Sequence, residues 1–180
     1  KEACDFIKRN KKSPFFLYLA FNGIHSPWQV PQKYLNRIKG VDNKYRELLL
    51  AMTLAVDDGV GEIQKTLKEL GLAQNTVIFF MADNGTPKIG NKKPNIGSSR
   101  MSSTLGYRGY KGDTFEGGTR VPFLINWPGV IPVGKKYDKP VISLDIVATL
   151  LGHLKIAAPK RGIDGVNLIP FLNGRRESPH

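Results

Sequence analysis

The chain has 180 residues, enough for one domain with a buried core, and its 41% hydrophobic and 23% charged residues are a globular balance that excludes a disordered chain. No apolar run reaches the roughly 18 residues of a helical membrane span, and the single cysteine, Cys4, excludes an internal disulfide. Lys and Arg number 27 against 15 Asp and Glu, a net charge of +12 that favours anionic ligands, while the absence of zinc-finger spacing or aromatic-interleaved basic motifs argues against nucleic acid.

The first residues, Lys1 to Ile7, read as the tail of an amphipathic helix, and residues 1–13 are assigned to it. There is no initiator Met and no signal peptide, so the expectation is that the chain starts partway through a larger protein. Residues 15–21 form a continuous apolar run with aromatic and β-type residues, the pattern of a buried strand. A loop, Gly23-Ile24-His25-Ser26-Pro27, follows it, and Pro31 suits the first turn of a short helix reaching about Arg37. Apolar positions from Tyr45 through Leu48, Met52, Val56, Val60, Ile63 and Leu67 to Leu70 recur every three or four residues. They predict a long amphipathic helix closed by Gly71 and weakened locally by Gly59 and Gly61. Residues 76–82 are a second buried strand, so strand, helix and strand predict a βαβ crossover with parallel pairing. Residues 86–105, rich in Gly, Pro, Ser, Asn and Lys, predict a long loop. Residues 121–127 are a third strand ended by Pro128-Gly129, residues 144–154 a helix, and the tail from Pro159 is looser. No internal repeat or domain boundary is evident.

Four residues carry the candidate chemistry. Asp83 and Asn84 stand directly after the second strand, at the C-terminal sheet edge where open α/β sheets place their sites. A carboxylate beside an amide suits Ca²⁺ or Mg²⁺, which take oxygen ligands; the same Asn-Gly pair also suits a plain turn. His25 sits at the equivalent end of the first strand, although a loop histidine is commonly solvated or structural. Lys111 lies in Gly109-Tyr110-Lys111-Gly112, where the glycines permit close backbone approach and aim the ammonium; an ordinary surface lysine is the alternative. Asp57 and Asp58 read as a polar helix face, Arg120 as a partner for Glu116 or another carboxylate, and Tyr107 and Arg108 as residues near a substrate entrance. His153 reads as structural and the terminal His180 as uninformative.

Taken in order, the segment 14–27 around His25, Ala82-Asp83-Asn84-Gly85, and the segment 109–122 with its Glu116-Gly117-Gly118 resemble the sulfatase family of the alkaline phosphatase superfamily. The closing segments 143–151 and 164–168 extend the resemblance to nearly the whole chain. It implies an α/β fold, a mainly parallel sheet flanked by helices, with residues 1–180 forming the C-terminal part of the catalytic domain. Within that part, residues 14–130 hold the strands and active-site loops, and 131–180 a helix and looser tail. It further implies that Asp83 and Asn84 are metal ligands for Ca²⁺ (or Mg²⁺), and that His25 and Lys111 are catalytic and substrate-binding residues at the sulfate. The glycines and Glu116 would hold the turn before the third strand.

Sulfatases use a formylglycine made from the motif C/S-x-P/A-x-R, and no cysteine or serine of this chain fits it. Paired acidic metal ligands and a second lysine and histidine of the family are also missing. The simplest account is an incomplete domain whose N-terminal half supplies them, so that the chain alone is inactive and binds metal poorly. The implied substrate is an aryl or carbohydrate sulfate ester, and the implied location is periplasmic or secreted. Two other readings stay open: a phosphonate or phosphate monoester hydrolase of the same superfamily, and a non-catalytic polyanion-binding module.

Overall fold

The structure, a computed structural model, describes residues 1–87 and 104–180. Most of the expected loop 86–105 therefore lies outside the described residues. The chain divides into two compact units, one of Lys1–Ala73 and Met81–Phe123, the other of Gln74–Phe80 and Leu124–His180. Among the described residues no helix is long and apolar enough to cross a membrane.

In the first unit, α1 (Glu2–Asn10) carries Glu2 and Asp5 in its first turn and Lys8 and Arg9 in its last, charges that match the helix dipole. Ile7 is its buried residue, and Phe6 meets Phe15 edge-on at 5.9 Å. The short α2 (Gln32–Leu35) follows Pro31 as expected. The long helix α3 (Lys44–Glu69) starts at Asn43, whose side chain accepts hydrogen bonds from the N–H groups of Tyr45 and Arg46. It ends where Gly71 takes φ +70°, the left-handed cap that glycine adopts without strain. Ala51, Met52 and Leu67 lie on its buried face. Asp58 of the polar face is not idle: its Oδ2 pairs with Arg37 at 2.6 Å, tying the end of α2 to α3.

The helix glycines differ. A Cβ on Gly59 would stand 3.1 Å from the ring of Phe21, so this glycine makes room for an aromatic ring. Nothing lies within 4 Å of the corresponding point on Gly61.

The strands depart from expectation. Strand β1 (Ile78–Met81) and strand β2 (Phe123–Asn126), either side of the helix α4 (Glu116–Thr119), form a two-stranded sheet. Ala82 N–H donates to Pro122 O and Gly85 N–H to Gly118 O, so partner numbers fall as chain numbers rise. The pairing is antiparallel. The expected mainly parallel sheet is not formed by the described residues, because the first of its strands is missing. Residues 15–21 are not a strand. Phe15 and Leu17 are half-buried while Phe16 and Tyr18 are 77% and 82% exposed. The side chains alternate as in a strand, but no neighbouring backbone completes a ladder. The βαβ crossover is lost with it.

In the second unit Trp127 is buried and meets Phe79 at 6.2 Å. The exposed His153 rests against the same indole at 4.6 Å, a structural contact as the sequence indicates. Helix α5 (Asp145–Leu154) and helix α6 (Ile169–Leu172) complete the unit. Thr149 of α5 accepts the Leu168 N–H at 2.9 Å inside the core. Asp145, fully buried, accepts N–H groups from Ile142 and Val166 and faces His180 Nε2 at 3.1 Å from each carboxylate oxygen. His180, uninformative as sequence, is therefore a fixed residue.

Candidate functional site

Asp83 and Asn84 leave β1 in a bend, with Asp83 exposed and Asn84 half-buried. Asn84 Nδ2 donates to Gly85 O at 2.9 Å. That bond fixes the amide plane and leaves Oδ1 as the oxygen available to a cation. Asp83 has no ion pair among the described residues. Two hard oxygens side by side are the donor chemistry of calcium or magnesium, but calcium takes six to eight. Among the described residues there is no group of three His, Cys, Asp or Glu poised to hold a metal. The residues present thus fit such an ion as part of its shell.

Backbone contact joins this bend to the loop of Lys111. Lys111 N–H donates to Thr86 O at 2.8 Å, and Gly85 N–H to Gly118 O at 2.8 Å. Gly117 N–H donates to Arg108 O at 2.7 Å. The approach is too close for side chains. A Cβ on Gly85 would overlap the Gly117 carbonyl, one on Gly117 the Gly109 carbonyl, and one on Gly118 the carbonyls of Asp113 and Tyr110. Glycine is required here by contact, at Gly109 by contact and a φ of +85°, and at Gly112 by a φ of +94° alone. Asp113 Oδ2 accepts the Tyr110 N–H at 2.9 Å and closes the turn that carries Lys111. The Lys111 side chain is exposed and has no ion pair among the described residues. Glu116 pairs with Arg120 at 2.8 Å, one of the pairings expected for that arginine.

The structure therefore brings Asp83, Asn84 and Lys111 onto two interlocked loops. His25 is carried separately, on the segment that packs on α3: a Cβ on Gly23 would stand 3.0 Å from Val56 Cγ2. His25 is exposed, its N–H donates to Asn22 O, and its Nδ1 lies 2.8 Å from Ser26 O. A carbonyl only accepts, so Nδ1 carries a proton and Nε2 is the nitrogen left to act. In the neutral ring Nε2 is an acceptor; it donates only in the imidazolium. No hydrogen bond or ion pair joins His25 to Asp83, Asn84 or Lys111.

Thr86 is a participant that sequence reasoning missed. It acts through its carbonyl, and a backbone role leaves no trace in residue type. The stacks of Arg108 on Phe115 at 3.8 Å and of Arg120 on Tyr107 at 4.7 Å were equally invisible, since the pairs are separated by 7 and 13 positions.

Known proteins resemble this chain along nearly its whole length. The family model described as Sulfatase matches residues 1–156. The chain is 35% identical over 174 residues to steryl-sulfatase of Rattus norvegicus, covering 96% of this chain and 29% of that protein. It is 36% identical over 179 residues to arylsulfatase H of Homo sapiens, covering 97% of this chain and 30% of that protein. The crystal structure of Ps i-CgsB in complex with k-i-k-neocarrahexaose superposes with a TM-score of 0.88 at 36% identity, over 99% of this chain and 38% of that one. The chain thus spans about a third of the length of these relatives. On the family model and these identities, the chain belongs to the sulfatase family.

Proposed function

We propose that this chain is the C-terminal part of the catalytic domain of a sulfuric ester hydrolase acting on aryl or carbohydrate sulfate esters. The observation that carries the reading is the glycine-locked junction of the Asp83-Asn84 bend with the Lys111 turn. It holds a pair of hard oxygen donors and an ammonium without an ion pair among the described residues on two hydrogen-bonded loops, which suits an anionic ester bound against a cation. Asp83 and Asn84 hold Ca²⁺ (or Mg²⁺), which when bound supplies Lewis-acid polarisation of the sulfate oxygens. Lys111 places its charge on an ester oxygen and offsets the charge that develops on the leaving group. His25 donates a hydrogen bond to a sulfate oxygen or helps protonate the leaving oxygen.

The formylglycine nucleophile and the remaining metal ligands belong to the N-terminal half of the same protein, which also pairs with residues 15–21. The substrate side is supported by the relatives, whose names include steryl-sulfatase and arylsulfatase, and by the oligosaccharide in the Ps i-CgsB complex. The protein works in the periplasm or outside the cell.

The test is to express the protein from its complete gene and compare turnover of a sulfate monoester and a phosphonate monoester, with and without chelator. Sulfate turnover that chelator abolishes is expected. Lys111→Ala and Asp83→Ala each lower kcat/KM by about 10²-fold or more. Preference for the phosphonate would assign the other ester chemistry of the superfamily. No turnover of either, with salt-sensitive heparin binding that survives both substitutions, would make the protein a polyanion-binding module.

A further inference from the structure

Arg108 and Lys111 stand three positions apart on the turn locked by Gly109, Gly117 and Gly118, and both side chains are exposed. The Arg108 guanidinium lies 3.8 Å from the centroid of the Phe115 ring. Such a stack holds the planar group without consuming its N–H donors, which lie along the guanidinium edge. Its backbone is fixed as well, since Arg108 O accepts the Gly117 N–H at 2.7 Å. Gly109 leaves room for Phe115, since a Cβ there would stand 2.8 Å from Phe115 Cβ.

The nearby carboxylates have other partners. Asp113 closes the turn by accepting the Tyr110 N–H, and Glu116 pairs with Arg120. Arg120 makes the instructive contrast: it too rests on an aromatic ring, Tyr107 at 4.7 Å, but its charge is met by Glu116. Among the described residues Arg108 has no carboxylate within ion-pair distance. An oriented, exposed guanidinium fork with no acidic partner is the geometry that takes an oxyanion bidentately.

We propose that Arg108, backed by Phe115, is a second anion-binding group beside Lys111, and that it receives a further sulfate of a multiply sulfated glycan. The inference rests on the sulfatase reading above and deepens it: Lys111 meets the sulfate that is cleaved, and Arg108 meets one that is retained. The enzyme then selects substrates by the spacing of two sulfates, and the net charge of +12 favours a polyanion over a singly charged ester.

The test uses the protein from its complete gene, with 4-nitrophenyl sulfate and a multiply sulfated hexasaccharide as the two substrates. Arg108→Gln is expected to raise KM for the hexasaccharide about tenfold, with kcat little changed and with a much smaller effect on 4-nitrophenyl sulfate. Arg108→Lys, which keeps the charge and loses the fork, falls between wild type and Arg108→Gln. Phe115→Leu, which keeps both charge and fork but removes the platform, raises the hexasaccharide KM in the same selective way. Equal losses on both substrates in Arg108→Gln and Arg108→Lys would show a structural arginine and overturn the inference, as would no change on either. If the wild-type protein cleaves neither sulfate, the sulfatase reading itself falls and takes the inference with it. That outcome is distinguishable, because it appears before any substitution is made.

Discussion

At Gly117 the absence of a side chain is what lets two loops share one position. A methyl group there would occupy the space of the Gly109 carbonyl, and the neighbour is backbone, which cannot swing aside. Gly117→Ala is therefore expected to destabilise the protein by about 1–3 kcal/mol or more. In the protein from its complete gene this appears as a lowered Tm together with loss of activity, since Lys111 loses its register against Thr86. Gly61→Ala is the matched control: it lies in the interior of α3 with nothing within 4 Å of the new methyl. It should raise stability by up to about 1 kcal/mol, the helix-propensity gain of alanine over glycine. Equal Tm shifts for the two variants would remove the argument from contact. The sequence shows that glycines flank Lys111, and their role in backbone approach is legible in that pattern. The junction of that turn with the Asp83-Asn84 bend is not legible, because Gly85 and Gly117 are 32 positions apart and nothing local connects them.

Helices are the elements the sequence announces best. The three-to-four-residue spacing from Tyr45 to Leu70 becomes α3, and Gly71 closes it with a left-handed φ, because both signals are local. Helix α5 is also legible, yet its most constrained residue is not. Asp145 stands at the start of α5 like any acidic first-turn residue, but it is fully buried and joins the N–H groups of Ile142 and Val166 to the imidazole of His180. Its partners come from 21 and 35 positions away, so no periodicity reveals them. Removing the carboxylate leaves two part-buried backbone donors without their acceptor, at up to about 1–3 kcal/mol each. Asp145→Ala should thus cost several times as much as His180→Ala, which removes only one of the three donors and one that is partly exposed. Chemical denaturation of the two variants checks the order. Equal losses would mean that the tail contact, not the backbone bridge, is what Asp145 supports.

For the molecule as a whole, the run 15–21 explains what sequence reading grasps and what it misses. Its composition is that of a buried strand, and its side chains alternate correctly, but Phe16 and Tyr18 are exposed because a strand is completed only by its neighbours. The site shares that condition. Asp83 and Asn84 contribute two oxygens, and a calcium shell of six to eight needs donors from elsewhere. From this follows a quantitative expectation for the 180-residue chain taken alone: calcium binding much weaker than micromolar, and no turnover of sulfate esters, since the nucleophile is not among its residues. Titration calorimetry of the isolated chain measures the first and a sulfate monoester assay the second. The protein from its complete gene should bind calcium far more tightly, and Asp83→Ala should lower that affinity sharply because it removes a charged ligand. A micromolar calcium site in the isolated chain, abolished by Asp83→Ala, would instead mean that these residues find enough oxygens locally, from backbone carbonyls and water, to hold the ion without the other half. The division of the site between two parts of one protein would then be wrong, although the family and the fold would stand.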